Sequence, residues 1–170
     1  IPEILSLSEF QTVLRNLLRE RVPIRDLSGI LEVVANNATI TRDPNILAEA
    51  VRQTMAHTLS SLYRDEENAL HVFTLSPELE SMLRSSLGVT DSGVGFQIDA
   101  SLAQVILRNT GEKMEALAGL GHMPILLCPR ELRMAFKRLV EQSLTNLVVL
   151  AYSEISPGTK VKAHGMVDMN

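Results

Sequence analysis

Apolar residues recur with helical spacing in the first part of the chain. The first stripe consists of Phe10, Val13, Leu14, Leu17 and Leu18. This i, i+3, i+4, i+7 spacing places side chains on one face of a helix. Ser6 and Glu9 stand at the N-cap and N3 positions of a capping box just before the stripe. The pattern therefore predicts an amphipathic helix that begins after Ser6.

Two further helices follow from the same reasoning. Pro23 is expected to end the first helix and to stand at the start of the second. The second apolar stripe consists of Ile24, Leu27, Ile30, Leu31 and Val34. Asp43 and Pro44 read as the N-cap and N1 of a third helix, whose stripe runs on to Leu62. Residues 1–67 are thus predicted to form an all-helical subdomain.

The pattern changes after the charged segment 64–68. Short apolar runs at 71–75, 125–128 and 147–150 are typical of strands, and 160–168 alternates like an edge strand. Helices are predicted from Pro77, Asp99 and Pro129, with a loop over 88–95 and a short strand over 96–98. The strand, helix and strand between 125 and 150 predict a parallel crossover. Residues 68–170 are therefore predicted to form a small α/β subdomain with a mixed, partly parallel sheet of thioredoxin-like character.

Composition narrows the function classes. The chain has 170 residues, 45% of them hydrophobic, and a net charge of −4. The negative net charge gives no indication of a basic surface, and only 4% of the residues are aromatic and could stack on bases. Nucleic acid is therefore not favoured as a partner. A single cysteine, Cys128, excludes an intrachain disulfide. No apolar run approaches the roughly 20 residues that span a bilayer, and no signal peptide is evident. The start at Ile1 predicts a piece of a longer protein.

Few residues of the chain are candidates for chemistry. Gly93-Val94-Gly95 lacks the third glycine of a dinucleotide fingerprint. The histidines are separated in sequence and form no i, i+4 pair, so each is expected to be solvated or internally satisfied and no metal site is predicted. They are His57, His71, His122 and His164. Cys128 stands before a predicted helix, where a thiol pKa can fall, but no second cysteine is available for dithiol chemistry.

The charged clusters can also be explained without catalysis. Arg130, Arg133 and Lys137 are predicted to share one face of the helix after Pro129, either as a solvated face or as a candidate interface. Carboxylates near Glu78 and Glu67 fit helix-dipole complementarity and solvation. No nucleophilic serine lies in a G-x-S-x-G turn. We therefore expect no enzymatic activity, no cofactor and no catalytic residue.

Several blocks resemble one known family. Phe10-Gln11, Pro23-Ile24-Arg25-Asp26-Leu27 and Val51-Arg52-Gln53 are similar to the helical third subdomain of the FlhA/LcrD export gate of flagellar and type III secretion systems. The fourth, α/β subdomain of that family is resembled by Leu126-Leu127-Cys128, Arg138-Leu139 and Tyr152-x-Glu154-Ile155. The resemblance covers nearly the whole chain in the expected order. Local departures occur at Leu144-Thr145 and at Ala151 and Ser153.

The resemblance implies a function and partners. It implies a soluble part of an integral membrane protein at the cytoplasmic face of the bacterial inner membrane. Such subunits form a nine-membered ring that receives export chaperones and substrates and works with an export ATPase. Ring contacts involve the third subdomain, whereas the main chaperone groove belongs to subdomains that this chain lacks. The chain alone is expected to be a monomer, and Gly165-Met166-Val167 favours a flagellar member.

Arg25 and Asp26 are the candidate contact residues of the helical subdomain. They are placed on the second helix, about 100° apart, so they cannot pair with one another as i, i+4 neighbours do. At least one is therefore expected to contact a neighbouring subunit, or else to cap the helix or form an intrachain salt bridge. Two rival functions stay open: a thioredoxin-like redox domain using Cys128, and an adaptor unrelated to secretion.

Overall fold

The computed structural model describes residues 5–90 and 93–170. The chain divides into two compact units, the first reaching Leu59 and the second beginning at Ser60. The division falls inside a helix and therefore earlier than the predicted boundary between residues 67 and 68. Ser60 belongs to the second unit because its buried hydroxyl donates to the carbonyl of Glu154 and accepts the N–H of Ser156, at 3.1 and 2.9 Å.

The first unit is helical, as the apolar stripes predict. Its helices are α1 (Leu7–Arg19), α2 (Leu27–Asn37), α3 (Pro44–Gln53) and the start of α4 (Ala56–Tyr63). The capping box of α1 is confirmed, because the Ser6 hydroxyl accepts the Glu9 N–H and the Glu9 carboxylate accepts the Ser6 N–H. Asp43 caps α3 and Pro44 is its first residue, also as predicted.

Two details of the helical prediction are wrong. Residues 23–25 lie outside α2, because Asp26 is its N-cap and accepts the N–H of Gly29 at 3.0 Å. The predicted third helix is interrupted after Gln53 and gives α3 and α4. Thr54 ends α3 because both its hydroxyl and its N–H donate to the carbonyl of Val51. Such local bonds compete with the continuing helical ladder.

The core of the helical unit is aliphatic. One buried face of each of α1, α2 and α3 contributes to it. Its central members are Val13, Leu17, Ile30, Val34, Leu47, Val51 and Leu59. Leu18, which the first stripe includes, is instead 52% exposed. The stripe is therefore wider than the face that the unit buries.

The second unit combines a parallel sheet with helices. Its strands are β1 (Ala69–Leu75), β4 (Ile125–Cys128), β5 (Val148–Ala151) and β6 (Lys160–Val167), in the order β5-β4-β1-β6. All three strand pairings in this sheet are parallel. The helices are α5 (Pro77–Ser86), α6 (Ala100–Gly119) and α7 (Arg130–Val140). The predicted fold class, the β4-α7-β5 unit and the edge position of β6 are confirmed.

Both faces of β1, β4 and β5 are buried. Phe73, Leu126 and Val149 point into a core shared with α5, α6 and α7. Their neighbours Val72, Leu127 and Leu150 form a smaller cluster on the opposite face. Strands that are covered on both sides read as continuous apolar runs, and for this reason 125–128 and 147–150 were recognisable in the sequence.

The predicted loop over 88–95 is wrong. Residues 87–90 and 93–96 form β2 (Leu87–Thr90) and β3 (Gly93–Phe96), an antiparallel pair separate from the main sheet. Asp91 and Ser92 lie outside the described residues. Val89 pairs with Val94, and Leu87 pairs with Phe96. The glycines that suggested a loop stand opposite one another in this hairpin, at Gly88 and Gly95, and the predicted strand at 96–98 is only the end of β3.

Candidate functional site

The helical unit carries an apolar groove between α1 and α2. Its volume is about 600 Å³. The groove is lined by Leu7, Phe10, Gln11, Leu14, Leu27, Ser28 and Leu31. Leu7 is 84% exposed and Leu27 is 49% exposed, although both are large and apolar. Contiguous exposed apolar surface of this kind marks binding sites.

Arg25 and Asp26 immediately precede Leu27, which lines this groove. Both residues are exposed. The Asp26 carboxylate is already engaged as the N-cap of α2. The capping alternative is therefore correct for Asp26, while a contact with a neighbouring subunit stays a prediction for both residues.

Arg133 and Lys137 do not share an exposed face, so this part of the sequence prediction is wrong. Arg133 is 1% exposed, and its Nη1 donates to the carbonyl of Val149 at 3.0 Å. Lys137 is also buried, and its Nζ donates to the carbonyl of Leu147 at 2.6 Å. Arg130 alone of the three is exposed.

The spacing of these two cations matches the strand that they contact. Four residues along α7 advance about 6 Å, and two residues along a strand advance about 6.6 Å. Residues i and i+4 of the helix can therefore reach the carbonyls of residues j and j+2. The Val148 N–H donates to the carbonyl of Pro124, just before β4, so the alternate carbonyls of Leu147 and Val149 point away from β4. Because β5 is the first strand in the sheet order, this is the outer edge of the sheet. Arg133 and Lys137 thus satisfy a sheet edge of this chain, which is a structural role.

Cys128 offers no exposed thiol. It ends β4 and is fully buried in the larger core of the second unit. Reactive thiols lie in partly exposed surroundings, whereas buried ones are usually structural. The redox alternative is therefore not favoured.

Three histidines form an unexpected cluster in the second unit. His71 lies in β1, His164 in β6, and His122 between α6 and β4; one ring nitrogen of each lies within 4.8 Å of the others. His71 Nδ1 is 2.9 Å from His164 Nε2. The rings of His71 and His122 stack in parallel with centroids 3.6 Å apart. His71 is internally satisfied, which is one of the two states expected for each histidine, but the sequence did not indicate that three of them meet. His57 is not part of the cluster.

Asp65 supports the cluster from the side. Its Oδ2 contacts His71 Nε2 at 3.0 Å, and its Oδ1 accepts the N–H groups of Glu67 and Ala69. The bond from Ala69, together with that from His71, lowers the pKa of Asp65. Partial burial lowers the pKa of His122, and the neighbouring His71 and His164 lower it further. The arrangement favours an ionised carboxylate at Asp65 and a neutral imidazole at His122.

The histidine cluster could not be predicted from the sequence. His71 and His164 are 93 residues apart and meet only because β1 and β6 pair. The sequence contains one local indication of the helix end that positions His122, which is the preceding residue, Gly121. Gly121 has a φ of +84°, and the His122 N–H returns to the carbonyl of Leu117, which closes a Schellman motif after α6.

Solved structures define the class of protein. The cytosolic part of SctV from EPEC, described as a nonamer, matches with a TM-score of 0.83 and 26% identity over 97% of this chain and 49% of that one. The CdsV protein of Chlamydia pneumoniae, solved in complex with CdsO, matches with a TM-score of 0.85 and 25% identity over 98% and 49%. Both share the fold described above.

The sequence comparisons give the family. The flagellar biosynthesis protein FlhA of Bacillus subtilis is 32% identical over 168 residues, which is 99% of this chain and 25% of that protein. The FHIPEP family matches residues 1–160, and the chain belongs to this family. The resemblance to the flagellar and type III export gate is thereby confirmed. The chain spans about a quarter of the length of the curated relative and about half of the solved chains. Among the residues that the structure describes, no helix has the length and apolarity to cross a membrane.

Proposed function

We propose that this chain is a cytoplasmic part of a flagellar protein-export gate subunit and acts in assembly and docking, not in catalysis. The observation that carries the proposal is the family match, which extends over residues 1–160. The flagellar branch is supported by the FlhA relative, which aligns with 99% of the chain. The place of action is then the cytoplasmic face of the bacterial inner membrane, with the membrane anchor elsewhere in the subunit.

The two units correspond in this proposal to the third and fourth subdomains of the export gate. Export chaperones, their substrates and components of the export ATPase are the expected partners of the complete subunit. The buried Cys128 gives no support to a redox role.

The α1–α2 groove is the surface that we assign to self-assembly. Its occupant is a neighbouring copy of the same subunit, in keeping with the nonamer reported for the SctV relative. Interface centres are apolar and poor in charge, and no charged residue lines the groove among those that the structure describes. Arg25 and Asp26 lie beside Leu27 and supply the charged margin that such interfaces have.

A leucine substitution tests the groove. Leu7→Asp in the complete subunit is expected to reduce ring formation, measured by chemical cross-linking, together with motility. A carboxylate in the first turn of α1 is compatible with the helix dipole, so folding should be preserved. Ile40→Asp is the matched control, because Ile40 is also 84% exposed but lies outside the groove. Unchanged rings in Leu7→Asp, or equal losses in both variants, would remove the groove from the proposal.

Charge reversal tests the margin. Arg25→Glu is expected to weaken ring formation without changing the melting temperature, because Arg25 is exposed. Normal assembly of this variant would show that Arg25 is only a solvated residue. If both variants assemble normally, the family assignment stands, but self-assembly must use another surface.

A further inference from the structure

We propose that His71, His122 and His164 bind one divalent transition-metal ion of the Zn²⁺ class. The three imidazoles come from β1, from the segment between α6 and β4, and from β6. An ion held by them would join three parts of the second unit that are distant in sequence. This inference is independent of the export function proposed above.

The backbone directs two of these histidines into the cluster. Between the pairs Val72–Ala163 and Thr74–Met166, β6 contains one more residue than β1, so a bulge lies at His164 and Gly165. Bulges re-aim side chains and occur often beside functional sites. Gly165 has a φ of +134°, a conformation that a side chain would disfavour. The Schellman motif after α6 fixes the backbone of His122 in a comparable way.

Asp65 gives the arrangement the second layer that histidine metal sites use. A ligating histidine commonly donates its other ring N–H to a carboxylate, which fixes the tautomer. Here His71 Nε2 lies 3.0 Å from the Asp65 carboxylate. When Nε2 carries the proton, Nδ1 keeps its lone pair and faces His164. The side chain of His71 is 13% exposed, so its orientation is held by its surroundings.

Coordination requires a slight separation of two rings and a reorientation of the third. Imidazole nitrogens bind Zn²⁺ at about 2.0–2.1 Å, so two of them on a tetrahedral ion lie about 3.4 Å apart. His71 Nδ1 and His164 Nε2 are 2.9 Å apart and would separate slightly. The ring of His122 must tilt away from its parallel stacking on His71, because a bound ion lies near the plane of each ring.

The donor set determines the class of ion. Imidazole suits Zn²⁺, Cu²⁺ and Ni²⁺, whereas Mg²⁺ and Ca²⁺ prefer oxygen ligands. Three protein ligands leave a fourth position for water or a partner group. Lys162 is a nearby positive charge, but its ammonium lies 4.0 Å from a Glu67 carboxylate oxygen, and the Asp65 carboxylate contacts His71 directly at 3.0 Å.

Cobalt titration of the tag-free 170-residue chain tests the site. After treatment with a chelator, the chain should bind one equivalent of Co²⁺ with visible d–d absorption, and Zn²⁺ should displace it. His164→Ala and His122→Ala are each expected to weaken binding about tenfold or more, because each removes a direct ligand and loss of a second-layer group alone costs that much. His57→Ala is the matched control because it removes the exposed histidine outside the cluster. Zn²⁺ should also raise the melting temperature of the parent chain more than that of His164→Ala at the same Zn²⁺ concentration.

Asp65→Asn provides a sharper variant. Asparagine keeps an Oδ1 for the N–H groups of Glu67 and Ala69, so the turn is preserved. Its amide would donate to His71 Nε2 and move the ring proton to Nδ1, the nitrogen that faces the ion. Affinity should fall about 10- to 100-fold while the metal-free melting temperature stays close to that of the parent.

Two results would overturn the proposal. One is the absence of a saturable one-equivalent site in the parent chain. The other is a loss of affinity in His57→Ala as large as that in His164→Ala. Circular dichroism without metal establishes that each variant is folded, and His164→Gln replaces His164→Ala if the latter is not.

Discussion

The two units use their amphipathic helices in different ways. In the helical unit, α1 and α2 bury only part of their apolar stripes and leave a groove in which Leu7 is 84% exposed. In the α/β unit, α7 buries its apolar face and also two cations, Arg133 and Lys137, which donate to the carbonyls of Val149 in β5 and of Leu147 just before it. In the first unit α1 and α2 therefore present apolar residues outward, whereas in the second α7 uses buried cations to bind strand carbonyls. Residue type alone does not separate surface from core.

The largest effect is expected at Arg133. Arg133→Ala leaves the buried carbonyl of Val149 without this donor and removes the packed stem of the side chain. We expect a loss of about 2–3 kcal/mol in the free energy of unfolding, measured by urea denaturation. Arg130→Ala, three residues away on the same helix, should change it by less than about 0.5 kcal/mol because Arg130 is exposed. Similar effects of the two substitutions would contradict the structural role of Arg133.

An intermediate effect is expected at Asp26. Asp26→Ala removes the N-cap of α2 and should cost about 1 kcal/mol, measured by thermal or urea unfolding. Asp26→Asn should restore most of that stability because the amide oxygen can still accept the Gly29 N–H. If Asp26→Asn is stable but assembles poorly in the complete subunit, the charge has a second role in subunit contact. Normal assembly would limit Asp26 to capping.

The smallest effect is expected at an exposed ion pair of the helical unit. Arg42 lies 2.7 Å from Glu9, and this hydrogen bond, with those from Ser6, lowers the pKa of Glu9 from 4.5 to about 2. A lowered folded-state pKa contributes stability above pH 4.5 that is lost as the pH falls towards 2. Glu9→Gln should therefore flatten the decline of the melting temperature across this window. Arg42→Met should do the same in part, and a decline unchanged in both variants would show that the pair contributes nothing.

The elements whose structure is determined by local chemistry could be predicted from the sequence. The caps at Ser6, Asp43, Ser76 and Asp99 each mark a helix that the structure contains. The buried strands were also recognisable, because a short and continuously apolar run such as Ile125–Cys128 is typical of a strand covered on both faces. The break at Thr54 was missed because its hydroxyl bonds locally while the apolar stripe continues beyond it.

The candidate sites depended on long-range pairing and were therefore harder to predict. Arg133 looked like a surface residue because a helical pattern does not show that a strand edge lies within its reach. The histidine cluster required the pairing of β1 with β6 and the bulge at His164. The hairpin of β2 and β3 was hidden by its glycines, which have the composition of a loop.

The position of β6 also has a consequence for folding. β1 is the first strand of the second unit in chain order. Its two sheet partners are β4 and β6, and β6 follows it by about 90 residues. During synthesis, one edge of β1 lacks its strand partner until Lys160–Val167 has left the ribosome. Unpaired strand edges are prone to pair with other chains. β6 is exposed and carries Lys160 and Lys162. Once it is synthesised, it pairs with this edge of β1 and thereby prevents the edge from pairing with other chains.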